Sequence, residues 1–433
     1  MAGEFDAITN ALKIAYPPKA IVPMVNQETP FRAQLKKLIP AGGRVTEGIV
    51  KFGANLNPPQ NQGQLIDGGA LPSPKDRTQD QFQLTPTIFA AGFQIGWVTR
   101  AIGNSNKSAF NGGELRRRTE ETIADLAKFM EQTYVGTHGT GRRARVESDG
   151  AASTFVAALP EGTKLLRENQ FVTVRTTDGG AVIRWDAGTE VAPGRFITAI
   201  NHDTRVVTYS GADAVLVAGD HVHPQVEANQ SFVTNPFANG LRGLIDDATF
   251  LTSIHGLSRV TYPKLKANVA GNGGTLRNLT EQILVRACHQ NRARSGKRIT
   301  DAWMGEGQAE KYIEFVAPDR RYTVAGKGVQ GMGTGYQEGS LVHYYPGGMF
   351  ELQISFDIVA REIFLLNRDT FFHYLAEDMD WWDEGGMLKP TPNNTSYKAS
   401  YLAFVKAIEN IGNDMPIGNT VVRDLKDPSI GDT

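Results

Sequence analysis

The feature that most constrains this chain is a polar excursion too long to be a turn and too poor in apolar side chains to pack on itself. Val50 and Phe52 alternate with polar residues on the outgoing leg, and Phe82 and Leu84 do so on the return. This period-2 pattern marks half-buried strands. Between the legs, residues 53–79 carry Pro58-Pro59, Gly68-Gly69, Pro72 and Pro74. The only sizeable apolar side chains there are Leu56, Leu65, Ile66 and Leu71. Hairpins normally turn in a few residues, and a connection this long inside a compact domain calls for a job. Fixing its backbone costs about 1–2 kcal/mol per residue. The excursion is therefore expected to be either mobile or ordered by another chain.

The segment before it reads as an arm. Phe5, Ile8 and Leu12 recur at helical spacing and predict one short amphipathic helix that stops before Pro17-Pro18. Pro23, Pro30 and Pro40 then interrupt every pattern, so this stretch is expected to lie over another surface. After the excursion, Phe93, Ile95 and Trp97 alternate as a further strand. A helix is predicted over about 114–134, with Leu115, Thr119, Ile123, Leu126 and Met130 on its apolar face. Asn111 and Glu114 resemble a capping box at its start. Arg116–Glu120 and Arg117–Glu121 pair along its wet side, which makes Arg116-Arg117-Arg118 a solvated helix face rather than a phosphate patch.

From about residue 146 to 228 the texture becomes all β. Short apolar runs (171–174, 182–185, 196–200, 206–209, 214–217) alternate with turn signals such as Asp178-Gly179-Gly180 and Pro193-Gly194. This spacing predicts a small barrel or sandwich inserted into the chain. Mixed α/β follows. Leu276, Leu279, Ile283 and Ala287 mark a helix ending at Ser295-Gly296, and Tyr401, Phe404, Val405 and Ile408 predict a last helix over 396–411.

Composition narrows the function classes. With 433 residues the chain is long enough for two or three compact units, and a 40% hydrophobic share supports real cores. Charged residues are 21% and nearly cancel, leaving a net charge of -1, so a basic nucleic-acid grip is absent. One cysteine, Cys288, excludes an intrachain disulfide framework and a cysteine-rich zinc site. Neither a signal peptide nor an apolar run of membrane-spanning length is visible. The expectation is a soluble intracellular product.

Each candidate for chemistry has a plainer explanation. Gly326-x-Gly328-x-x-Gly331 matches a dinucleotide fingerprint, but Gly333, Gly335 and Gly339 follow where a helix must open, which favours a glycine-rich loop. His221-Val222-His223 offers two imidazoles without a third ligand at useful spacing, and reads as surface histidines at a strand end. Cys288 and His289 are adjacent on a helix and do not face each other. Glu377, Asp378, Asp380, Asp383 and Glu384 surround Trp381-Trp382 and read as an acidic surface turn anchored by aromatics, suited to a subunit contact. No P-loop, HExxH or GxSxG motif occurs. No catalytic residue, cofactor or metal site is assigned.

The run Gly243-Leu244-Ile245-Asp246-Asp247, followed by Ile254-His-Gly256-Leu-Ser-Arg259-Val-Thr-Tyr262-Pro263, resembles a stretch of tailed-bacteriophage major capsid proteins. The order of parts around it is similar to the Johnson fold of that family. The resemblance implies an α+β, Hong Kong 97-type major capsid fold with N-arm, E-loop, peripheral and axial domains and an inserted small all-β domain. It implies an N-terminal arm at 1–43, an extended β E-loop at 44–100 and a spine helix of the peripheral domain within 101–145. It also implies a β-barrel or sandwich insertion at 146–228, then the axial domain and remaining peripheral elements at 229–433. The implied function is a structural one, self-assembly into the icosahedral shell of a virion, and no enzyme activity.

Partners on that analogy are further copies in hexamers and pentamers, with scaffold, portal and cement or decoration proteins. Packaged DNA would lie nearby without sequence-specific binding, with no membrane and with assembly in the bacterial host cytoplasm. The expected interface residues are Phe5, Ile8, Leu12, Val50, Phe52, Leu65, Ile66, Leu71, Phe82, Leu84, Trp381 and Trp382. Two alternatives remain open from sequence. One is an encapsulin-like nanocompartment shell; the other is a carbohydrate-active enzyme with a β accessory module, using the acids near Trp381.

Overall fold

The computed structural model describes residues 29–35, 44–46, 49–55, 79–96, 114–150, 153–178, 195–211, 216–224, 237–320, 335–337, 340–345, 348–382, 389–392 and 397–432. Within them the chain is α+β with mixed sheets. A one-turn helix, α1 (Pro30–Gln34), precedes the strands β1 (Arg44–Thr46), β2 (Ile49–Asn55) and β3 (Gln79–Leu84), which form an antiparallel three-stranded sheet. Val50 opposes Leu84 and Phe52 opposes Phe82, so the alternating apolar residues of both legs share one face.

Strand β4 (Thr87–Gly96) leaves this sheet, and helix α2 (Glu114–Glu131) runs on as a π-helical turn over Gln132–Gly136. Thr119, Ile123, Leu126 and Met130 are buried along one side of α2, the face predicted by their spacing. Arg117 and Glu121 make the expected wet-side pair at 3.7 Å. Six strands then close a barrel in the order β10-β5-β6-β9-β8-β7: β5 (Ala144–Asp149), β6 (Thr154–Ala157), β7 (Phe171–Arg175), β8 (Arg195–Asn201), β9 (Val206–Tyr209) and β10 (His221–Pro224). Val146, Phe155, Val172, Val174, Ile197, Val207 and Val222 fill its interior. Closure removes the free edges that short strands would otherwise expose.

Beyond the barrel come a single turn, α3 (Leu241–Leu244), a hairpin of β11 (Ser253–Ile254) and β12 (Leu257–Ser258), and β13 (Asn268–Ala270). Helix α4 (Glu281–Ser295) ends at Gly296 in the left-handed conformation, φ 70, whose N–H bonds back to the Arg292 carbonyl. Strand β14 (Asp301–Met304) and helix α5 (Glu306–Arg320) follow, then β15 (Gly335–Gln337), β16 (Ser340–Tyr345), β17 (Gly348–Ile354) and β18 (Ile363–Leu366). The last strands are β19 (Phe371–Trp381), β20 (Lys389–Pro392), β21 (Tyr397–Asn413) and β22 (Thr420–Val422). A seven-stranded mixed sheet runs β13-β22-β18-β14-β17-β16-β15. Ala302, Met304, Leu365 and Val422 on one face pack on Leu284, Cys288 and Tyr312 of the two helices. Trp303, Phe364, Leu366 and Val421 on the other face join the main core. Burial on both faces suits the apolar residues Ala302, Trp303 and Met304 of β14 and the all-apolar β18.

The helix predicted over 396–411 is instead the long strand β21, which pairs with β4 on one side and with β19 and β20 on the other. Ala403, Val405, Ala407, Glu409 and Ile411 are all buried, a period of 2. Tyr401, Phe404 and Ile408 reproduced a helical stripe by coincidence of spacing. The apolar partners β4 and β19 decide the matter, because only a strand can pair with both.

Candidate assembly surface

The excursion is held to the body at its root. Val50, Phe52, Phe82 and Leu84 are buried within the chain. Phe52 stacks near Phe82 (ring centroids 4.9 Å) and edge-on to Phe372 (5.0 Å). His255 closes the cluster at 6.0 Å from Phe52 and 5.6 Å from Phe82. It sits in the turn of the β11–β12 hairpin, where His255 (φ 48) and Gly256 (φ 84) both adopt positive φ, as a two-residue primed turn requires. The His255 carbonyl accepts the Gln83 N–H at 2.9 Å, and its Nε2 accepts the Asn413 N–H at 3.1 Å. Burial, with Arg259 nearby, pushes this imidazole down to about 3, so it stays neutral and its Nε2 can accept. Further out, Gly53, Asp80 and Gln81 are exposed, and the Tyr262 hydroxyl donates to Asp80 Oδ2 at 3.2 Å.

The family-like run thus has a structural meaning. Gly243 passes so close to the His138 carbonyl that a Cβ would collide with it. Asp246 is buried and accepts the N–H groups of Ala248, Phe250 and Leu251. Arg259, also buried, donates to the carbonyls of Gly243 (2.6 Å), Leu251 (3.0 Å) and Leu265 (3.1 Å) and lies 3.5 Å from Asp246. These residues tie α3, the hairpin and the following loop into one knot.

A second anchor is the segment 29–35, which docks on the chain's own body. Phe31 lies edge-on to Trp303 at 5.2 Å and to Phe371 at 6.3 Å. Arg32 is buried and reaches both oxygens of Glu409 at 2.7–3.0 Å. Glu409 also accepts the Tyr134 hydroxyl at 2.8 Å and lies 3.1 Å from His373 Nε2. Burial alone would raise this carboxyl, but His373 and Arg32 outweigh it and hold it at about 2. Glu131 accepts the Phe31 N–H at 3.4 Å, and its burial pushes it up to about 8.

A third cluster joins the barrel to the body. Glu161, in the β6–β7 connection, accepts from Arg142 and from Arg242 at 2.8 Å each. Arg242 also bonds Glu362 at 2.8 Å, and Arg423 lies 3.5 Å from Glu362 and 3.6 Å from Asp246. Phe250 lies beneath the guanidiniums of Arg423 (4.6 Å), Arg242 (5.5 Å) and Arg142 (5.9 Å). Burial would raise Glu161, yet the surrounding arginines keep it at about 2. His138, in the same cluster, is held well below the usual histidine range by burial and then by those arginines.

The expected interface residues divide three ways. Val50, Phe52, Phe82 and Leu84 serve the chain's own core, because alternation marks a buried face without saying which surface buries it. Trp381 is buried too, edge-on to Phe93 at 6.2 Å, and Trp382 is half-buried beside Phe404 and Lys406. Phe5, Ile8, Leu12, Leu65, Ile66 and Leu71 lie outside the described residues.

The candidates for chemistry resolve into structural roles where they are described. Glu377, Asp378 and Asp380 lie on strand β19 rather than in a surface turn; Glu377 pairs with Lys406 at 3.0 Å and Asp378 with Arg32 at 3.4 Å. Asp383 and Glu384 are outside the described residues, as are Gly326, Gly328 and Gly331. His223 is buried against the barrel rather than on the surface, 3.8 Å from Asp178, with its ring 6.5 Å from that of His221. Among the described residues no group of three or more His, Cys, Asp or Glu could hold a metal ion. Cys288 is buried and its thiol is pushed up to about 12 by that burial. Among the described residues no helix is long and apolar enough to cross a membrane.

No family model and no curated protein matches the sequence. Among solved structures the chain is similar to the cyanophage A-1(L) capsid asymmetric unit, at 13% identity and TM-score 0.45, over 92% of this chain and 93% of that chain. It is similar to the capsid of Myoviridae phage XM1 at 7% identity and TM-score 0.40, over 91% of each chain. It is also similar to the virus-like particle from Pyrococcus furiosus at 6% identity and TM-score 0.37, over 94% and 96%.

Proposed function

We propose that this chain is a non-enzymatic shell subunit, the major capsid protein of a tailed phage, assembling with copies of itself into an icosahedral shell around double-stranded DNA. The observation that carries the reading is the β2–β3 excursion, whose root is anchored by buried side chains while the sequence of 53–79 is long, polar and poor in apolar residues. Four buried side chains, Val50, Phe52, Phe82 and Leu84, hold that root at about 1.5–3 kcal/mol each. They cannot also offset about 1–2 kcal/mol per residue for ordering a segment as long and polar as 53–79. A second copy of the chain can supply the missing contacts. Arms and loops that each dock weakly become strong together, because every contact raises the effective concentration for the next.

On this reading residues 1–43 are the N-terminal arm, 44–100 the E-loop and 101–145 hold the spine helix. Residues 146–228 are the inserted barrel, and 229–433 supply the axial domain with remaining peripheral strands. Leu65, Ile66, Leu71 and the Phe5, Ile8, Leu12 stripe face neighbours in hexamers and pentamers. Scaffold, portal and decoration proteins are further partners, and assembly takes place in the bacterial host cytoplasm.

Deleting residues 57–74 tests the proposal. The deleted chain should remain a folded, monodisperse subunit by circular dichroism and sedimentation, yet form no shells by negative-stain microscopy. Normal particles from the deletion would overturn it. Nucleic acid inside particles of the full chain separates a phage capsid from a nanocompartment shell.

A further inference from the structure

Among the described residues the excursion meets the body at two places of different character. At the root, the Phe52, Phe82, Phe372 and His255 rings interlock, and the backbone of β3 is hydrogen-bonded to the hairpin turn through Gln83 and His255. The same imidazole is bonded to the end of β21 through the Asn413 N–H, so one side chain bridges excursion, hairpin and central strand. Further out, on an exposed stretch, Tyr262 bonds Asp80. A two-stranded ribbon held only at its root can pivot about it. A second contact displaced along the ribbon removes that freedom.

The support behind both contacts is rigid. The hairpin lies between Asp246 and Tyr262, in the segment that Arg259 pins through backbone carbonyls and Asp246. We infer that the 253–258 hairpin and Tyr262 form a socket that sets the direction in which the β2–β3 ribbon leaves the body, which makes His255 and Tyr262 positioning residues for assembly. The inference rests on the shell reading for its consequence, since direction matters only where a neighbouring copy receives the ribbon. It also gives a physical reason why Gly256, Arg259 and Tyr262 stand together in one short run. Gly256 permits the turn, Arg259 stiffens its base and Tyr262 carries the outer contact.

The test measures direction and assembly separately. Nitroxide labels are placed at Gln81→Cys on the ribbon and Ala124→Cys on α2, both exposed, while the native Cys288 is buried. Distances are read by double electron–electron resonance on unassembled subunits, in the parent and in Tyr262→Phe and His255→Asn backgrounds. Asn tolerates the positive φ of the turn but lacks the ring. The expected result is one narrow distance in the parent, a broadened and shifted distribution in both variants, and shells of mixed diameter from the variants against one diameter from the parent. Should His255→Asn fail to fold, Tyr262→Phe decides alone, because it removes one exposed hydroxyl. Unchanged distances, or broadened distances with shells of unaltered diameter, overturn the socket. Absence of shells from the parent would instead sink the shell reading, and the distances would still judge the ribbon's direction.

Discussion

Arg32 and Glu409 stand 377 residues apart in the chain and share three hydrogen bonds in the core. Neither residue looks exceptional in sequence, since a lone Arg after Pro-Phe and a lone Glu in an apolar run both read as solvated charges. The structure makes them mutually dependent, because an unpartnered buried charge is far costlier than a paired one. Arg32→Ala is expected to destabilise the subunit by about 3–5 kcal/mol, read as a lowered denaturant midpoint with unchanged m-value. Replacing both residues by Met should recover part of that loss, since the buried Glu409 carboxylate is then no longer left without Arg32. An Arg32→Ala chain as stable as the parent would show that residues 29–35 do not dock as described.

At the scale of elements, β21 is the instructive case. Its sequence carries two overlapping patterns: Tyr401, Phe404 and Ile408 at helical spacing, and Ala403, Val405, Ala407 and Ile411 at strand spacing. Two alanines weaken the second pattern to the eye, and the buried Glu409 interrupts it, so only pairing with β4 and β19 shows which pattern governs. Val405→Asp is therefore expected to prevent folding or cost more than about 3 kcal/mol, because it buries an unpaired charge. Ile408→Thr, on the half-exposed opposite face, should cost less than about 1.5 kcal/mol. Thermal melts of the two variants check this, and equal losses would contradict the strand's alternation. Other elements were legible, because their signals are local. The α2 face follows from 3.6-residue periodicity, the stop of α4 from Gly296, and the excursion legs from alternation. Barrel closure was less so: β10 (His221–Pro224) completes the ring between β5 and β7, although Pro224 reads as a strand breaker.

For the whole molecule, the barrel is bolted to the body by buried ions rather than tethered by a linker. Glu161 and Glu409 both have carboxyls near 2, below the ordinary value of 4.5. A carboxyl whose folded pKa is depressed contributes stability that is complete above its unfolded value and lost as pH falls towards the folded one. The melting temperature is thus expected to fall as pH drops from about 4.5 towards 2, the window in which these two carboxyls lose their contribution. Glu161→Gln should lower it at neutral pH and flatten that fall, measured by fluorimetric melts across the range. A parent whose melting temperature is level down to pH 3 would contradict the buried network.

The amino-acid sequence by itself determined the local facts: where strands alternate, where α2 turns its apolar face, where glycine ends α4, and that the excursion lacks the side chains to pack alone. Those follow from forces acting within a few residues. Tertiary structure decided which surface each buried face meets. It turned Val50, Phe52, Phe82 and Leu84 inward, made β21 a strand, and joined Arg32 to Glu409 and Glu161 to Arg242. Such outcomes depend on desolvation and pairing between residues remote in sequence, and no local pattern encodes which distant partner completes them.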